Sequence, residues 1–179
     1  MKLLNKLERK YGRYAIHNLM KYVVMLYGIG LVIGTIAPGL YNIGLSLNFD
    51  MIKKGQVWRL ITFIIPNVSI YDILFVALAA YLYYMIGNAL ERAWGAFRFN
   101  VYFFSGVIFN ILASWITYLL TGVSLSPSLD YVYGTMFFAF AALYPNTQFL
   151  LYFLIPIKAK YLAWFDAALY IIMVVQYIM

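Results

Sequence analysis

The chain has 179 residues, of which 65% are hydrophobic and 11% charged, with a formal net charge of +7. A soluble domain of this size needs more polar surface, so an aqueous fold is excluded, and the lack of cysteine excludes disulfides, thiolate nucleophiles and thiolate metal sites together. The single His17 leaves no histidine metal site, and basic residues scattered between apolar runs form no stripe of the kind that holds nucleic acid.

At about 20 apolar residues per bilayer crossing the chain has room for five, so the fold class expected is an all-α membrane protein. Residues 1–18 carry Lys2, Lys6, Arg9, Lys10 and Arg13, with Leu3, Leu4, Leu7 and Tyr11 spaced for one helical face. That pattern predicts a basic interfacial segment, uncleaved, since no A-x-A site follows it. The first span is placed at 19–37, where Lys21 can snorkel and Pro38-Gly39 closes the run. Residues 41–70 mix polar and apolar side chains over a length that predicts short helices lying in the outer interface. The second span is placed at 71–90, the third at 101–120 and a short fourth at 131–144, which Pro145-Asn146 ends. The stretch TQFLLYFLIPIK is apolar, too short to cross and interrupted by Pro156, and reads as a surface or re-entrant segment before a fifth span at 161–179.

Positive charge supplies a check on this map. With the N-terminus inside, inner segments hold Lys2, Lys6, Arg9, Lys10, Arg13, Lys21, Arg92, Arg98, Lys158 and Lys160, and outer ones hold only Lys53, Lys54 and Arg59. That asymmetry of ten to three predicts a multi-pass protein with a cytoplasmic N-terminus, an odd number of crossings and Met179 on the outer side.

Three ordered blocks then resemble the rhomboid superfamily of intramembrane proteins. They are GQVWRLITF at 55–63, G-x-x-L-E-R-x-W-G-x-x-R-F at 87–99, and ALYPN followed by IPIKAKYLAWF within 142–165. The resemblance implies a rhomboid-like helical bundle over 19–179 with five of the usual six core helices and a broad first outer loop. Active members of that family work through a serine in a G-x-S-G motif at the start of the fourth span and a histidine on a sixth. Tyr133 stands where the serine would be, and only Gly134 of the motif is kept. A phenol, with a pKa of about 10 and a bulk that fills the space for a scissile carbonyl, does not replace a serine. Active members also carry H-x-x-x-N ahead of the glycine matching Gly87, and these positions here are Phe75 and Ala79. Neither side chain donates a hydrogen bond, and one lost oxyanion donor costs about 2.7–4 kcal/mol of barrier. A sixth span bearing the histidine would lie past Met179, where the expectation is that a helix has been lost or cut.

The remaining polar residues receive physical readings. Trp58 and Arg59 suit a loop half-sunk in headgroups, the indole anchoring and the guanidinium on phosphate or carbonyl oxygen, and both are candidates for client contact. Glu91, Arg92 and Arg98 are close enough in sequence to pair with one another and fix the inner loop. Gly87, Gly95, Gly106 and Gly134 permit close helix approach. Asp166, six residues after Lys160, is read as its partner or as a site for transport or a client. Asp72 suits a helix start, and Asn110 and Gln176 suit bridges between helices. His17 and the outer-loop serines Ser124, Ser126 and Ser128 fall on opposite sides of the bilayer, too far apart for a dyad.

The function that follows is a catalytically inactive rhomboid-like protein of a bacterial plasma membrane that binds or escorts other transmembrane segments. Its partners are then the lipid bilayer and transmembrane clients, with no nucleic acid, cofactor or metal. The alternatives are a divergent or truncated intramembrane serine protease and a structural or transport subunit of a membrane complex.

Overall fold

The computed structural model describes residues 2–124, 126–151 and 155–178, with the backbone alone at 2–3, 149–151, 155–156 and 173–178. The chain divides into two compact units, Met1–Tyr133 and Gly134–Met179.

The first unit opens with α1 (Lys2–Tyr11), whose basic residues leave one apolar face, followed by a short turn of helix at Gly12–Tyr14. The long α2 (Leu19–Ile36) carries no charge after Lys21 and stops where Pro38 removes a donor. Between α2 and the next long helix the chain folds into pieces: a wide turn at Tyr41–Leu45, α3 (Phe49–Lys53), α4 (Arg59–Thr62) and a tight turn at Ile70–Asp72. Short helices were predicted there, and the reason is physical, since backbone at membrane depth must bond within the protein. The next two long helices are α5 (Ile73–Trp94) and α6 (Ala96–Thr121), followed by the loop to α7 (Asp130–Leu143).

Among the described residues, three segments are long and apolar enough to cross a membrane: Leu19–Ile36, Ile70–Trp94 and Ala96–Thr121. Their outer faces are apolar without a protein partner, as with Ile36 at 79% and Leu120 at 81% exposure, so lipid covers them. The α7 helix, 14 residues long, measures about 21 Å, well short of a hydrocarbon core of about 30 Å.

Glycine sets where these helices touch. A Cβ on Gly87 of α5 would collide with the side chain of Met20, which is fully buried on α2, so the two antiparallel helices meet there in near contact. On α2, Gly30 and Gly34 face the carbonyl oxygens of Pro66 and Val68, and any side chain at either position would strike backbone. This pair, spaced like a small-xxx-small motif, escaped the sequence reading. Gly106 of α6 packs on Val132, with a Cβ at 3.1 Å from its methyl. Gly95 corrects the expectation of a packing glycine: nothing lies within 4 Å of its Cβ position, and its φ of +87° turns the chain between α5 and α6. Its N–H donates to the Glu91 carbonyl (2.8 Å), and its own carbonyl accepts from Phe99 N–H (3.1 Å), closing one helix and opening the next.

In the second unit, the apolar stretch after α7 is an antiparallel hairpin of β1 (Gln148–Leu151) and β2 (Ile155–Lys158), with Gln148 opposite Lys158. This specifies what the sequence left as a surface or re-entrant segment, because strand pairing satisfies the backbone around Pro156. Ala159 N–H donates to the Thr147 carbonyl at 2.7 Å and starts α8 (Ala159–Ile178) directly from β2. Gly134 faces the Tyr170 hydroxyl of α8, 3.0 Å from its Cβ position.

Candidate functional site

The WRLIT stretch of α4 has one local task. Helical turns end with unpaired carbonyls, and the wide turn at Tyr41–Leu45 presents four in succession around Ile43 to Ser46. The Trp58 indole N–H donates to the Gly44 carbonyl (3.1 Å), and the Thr62 hydroxyl donates to the Leu45 carbonyl (3.0 Å). The Arg59 guanidinium donates to the Ser46 carbonyl (2.8 Å) and the Ile43 carbonyl, while its Nε is held by Gln56 Oε1 at 2.8 Å. Arg59 is only 1% exposed, so it supports the loop from within and offers no surface to a client or a headgroup phosphate. Trp58 is 51% exposed and keeps a free apolar face. The far end of the loop is pinned to α6, where the Tyr118 hydroxyl donates to Asp50 (2.5 Å) and Lys53 Nζ donates to that hydroxyl (3.1 Å).

Beneath this braced loop lies a cavity of about 360 Å³ lined by residues of α2, α5, the 63–68 segment and the start of α7. The three positions that the family resemblance singled out, Phe75, Ala79 and Tyr133, all line it. Phe75 stands at its mouth, 76% exposed, and Ala79 is half-buried. Tyr133 is 3% exposed, stacks on Tyr83 with ring centroids 4.2 Å apart and planes at 18°, and lies 6.3 Å from the Tyr27 ring. The hydroxyls of Tyr27 and Tyr133 share a hydrogen bond. Three aromatic rings from three helices therefore pack together in the wall of this cavity. Tyr27 and Tyr83 escaped the sequence reading because among eighteen tyrosines none carries a local signal of being in a cluster.

Ser128, Asp130 and Tyr41 line the same cavity and are engaged, with further loop residues bonded nearby. The Ser128 hydroxyl donates to Asp130 Oδ2 (2.6 Å) and accepts from Asp130 N–H (3.4 Å), a local cap on α7. Tyr41 bonds to Ser126, and burial pushes its phenol above the usual range, with Asp130 adding to the effect, so it remains neutral. Ser124 accepts from Phe49 N–H at 2.8 Å. Asn110 donates to the Ser128 carbonyl (2.7 Å), anchoring the loop before α7 where a bridge between helices was expected. His17 lines a different cavity, with Asn88, Glu91 and Arg92. Among the described residues no group of three histidine, cysteine or acidic residues could hold a metal ion.

The charges around the turn between α5 and α6 also differ from expectation. Glu91 pairs with neither arginine: its carboxylate accepts from Asn18 N–H (2.7 Å) and Leu19 N–H (3.3 Å), capping the start of α2. Arg98 reaches α1 instead, pairing with Glu8 (3.0 Å) and donating to Asn5 (3.2 Å), while Arg92 remains exposed. Both partners lie some 70 to 90 residues away in sequence, which is why local spacing did not reveal them. In the second unit Asp166 is half-buried, and among the described residues no salt bridge joins it to Lys160, whose ammonium sits 4.9 Å over the Tyr161 ring. Asp72 ends the turn before α5 without a side-chain cap bond, and Gln176 lies among residues whose side chains are outside those described.

No curated protein and no solved structure matches the chain. The family model described as Rhomboid domain matches residues 54–179, from the braced loop through the cavity positions to the last helix. With that match over most of its length, the chain belongs to the rhomboid family of membrane proteins.

Proposed function

We propose that this rhomboid-family membrane protein is catalytically silent and holds or escorts other transmembrane segments, with its N-terminus in the cytoplasm and five crossings. The observation that carries this reading is the packing of Tyr133, the residue at the position the resemblance matches to the nucleophile, with its ring stacked on Tyr83 and its hydroxyl bonded to Tyr27. A phenol so packed has no room to approach a carbonyl, and the one carboxylate that lines the cavity among the described residues, Asp130, accepts a hydrogen bond from the Ser128 hydroxyl. Phe75 and Ala79 offer no donor to a developing oxyanion.

What supports the binding half of the reading is the retained frame. The loop around Arg59 is fully bonded, Trp58 turns an apolar face outward, Phe75 stands exposed at the mouth of the cavity, and α7 is short enough to thin the bilayer beside it. A client helix with a polar or short span would gain from such thinning. Asp166 on α8 is a further candidate for client contact.

The test is a cleavage assay on a model transmembrane substrate with the full-length protein and Tyr133→Ala, together with photo-crosslinkers placed at Trp58 and Phe75. The expected result is no cleavage by either protein and crosslinks to membrane segments at both positions. Cleavage by the wild-type chain sinks the silent reading, and crosslinks to lipid alone sink the escort reading.

A further inference from the structure

A second feature of the first unit is unrelated to the family's catalytic positions. Between α2 and α5 an apolar groove of about 620 Å³ opens sideways, lined chiefly by Val24, Gly28 and Leu31 of α2 and Ile73, Ala77 and Ala80 of α5. Lys21 closes it at the end nearest α1, and Tyr84 there lines both the groove and the polar cavity of about 310 Å³ that holds His17, Asn88 and Arg92. The apolar groove and the polar chamber thus meet at the Tyr84 side chain.

We propose that the groove and the chamber together bind one glycerophospholipid with an anionic headgroup, drawn from the leaflet at the α1 end of the helices. Length is the first argument. From Lys21 to Leu31 on α2 is ten residues and from Ile73 to Tyr84 on α5 is eleven, so the groove is about 15 Å long, half the hydrocarbon thickness of about 30 Å. An acyl chain of one leaflet has that reach.

Charge is the second argument. The chamber end carries Lys21 and Arg92, both exposed, and among the described residues neither makes a salt bridge. The one carboxylate facing the chamber, Glu91, is already engaged by the Asn18 and Leu19 N–H groups at the start of α2. His17 and Asn88 add hydrogen-bonding capacity for phosphate or glycerol oxygens. The balance favours a negative headgroup over a zwitterionic one.

Gly28 provides a clean test, since nothing lies within 4 Å of its Cβ position and a larger residue would fill the groove without striking the fold. The purified full chain in mild detergent is given phosphatidylglycerol and phosphatidylcholine of equal chain length in equal amounts and examined by native mass spectrometry. The wild-type protein should retain one phosphatidylglycerol, at least fivefold over phosphatidylcholine. Lys21→Gln with Arg92→Gln should bring that preference close to unity, and Gly28→Leu should lower retention of both lipids at least fivefold with an unchanged helical spectrum. Equal retention of the two lipids by the wild-type chain, or undiminished phosphatidylglycerol on a folded Gly28→Leu variant, overturns the proposal. So does a photo-crosslinker at residue 28 that captures a transmembrane peptide in preference to lipid; the charge variants, both at exposed positions, keep the question open to refutation should Gly28→Leu fail to fold.

Discussion

Arg59 carries more of the 41–65 loop than any other side chain. It bonds the Ile43 and Ser46 carbonyls and the Gln56 side chain from a position with 1% exposure. Hydrogen bonds to a charged donor contribute about 1.5–3 kcal/mol each, and one acceptor left behind, at Ser46, is buried. Arg59→Ala should therefore lower stability by about 3 kcal/mol or more, and Arg59→Lys should recover only part, because an ammonium cannot span the same acceptors. Unfolding in detergent, together with limited proteolysis of the 41–65 loop, measures both effects. At the cavity, Tyr133→Phe keeps the stacking on Tyr83 and removes the hydroxyl bonded to Tyr27, so a loss of about 0.5–1.5 kcal/mol is expected in the same unfolding assay. The Trp-Arg pair was visible in the sequence as something placed on purpose. Its direction was not, because whether a guanidinium turns to phosphate or to its own loop depends on where four carbonyls of another turn come to rest.

Among the helices, glycine separates contacts that matter from surface that does not. Gly87→Val would drive a methyl group into Met20 at the α2–α5 contact, and overpacking of this kind costs about 1–3 kcal/mol. Gly28→Ala, seven residues from Lys21 on the open side of α2, should be neutral or stabilising by up to about 1 kcal/mol through helix propensity alone. Paired melting curves of the two variants decide whether the contact at Gly87 has this weight. The glycines were equally prominent in the sequence, yet they do three different jobs: Gly87 and Gly106 admit a neighbour, Gly95 turns the chain, and Gly28 leaves a space. Periodicity identifies the helix and says little about which of its faces a neighbour will take. Glu91 makes the same point, since its role as a cap on α2 depends on a residue more than 70 positions earlier.

For the whole molecule, the proposed cytoplasmic N-terminus rests on the charge asymmetry of the loops, and the lack of native cysteine makes it simple to measure. Single cysteines introduced at Lys6 and at Gln56 should react with a membrane-impermeant maleimide from opposite sides of the bilayer, the second from outside intact cells. Labelling of both from one side would refute the orientation and the crossing count with it.

The sequence by itself determined that this is a helical membrane protein of rhomboid type, because solvent preference is a property of composition and the helices follow from runs of apolar residues bounded by Gly, Pro and polar turns. It also singled out Phe75, Ala79 and Tyr133, since those positions are counted along single helices. Only the tertiary structure decided what surrounds them. The stack of Tyr133 on Tyr83 beside Tyr27, the inward turn of Arg59, the reach of Arg98 to Glu8 and the groove at Gly28 all arise where separate segments meet. Such meetings depend on packing and on which partners are left after the backbone has satisfied itself, and no local pattern encodes them.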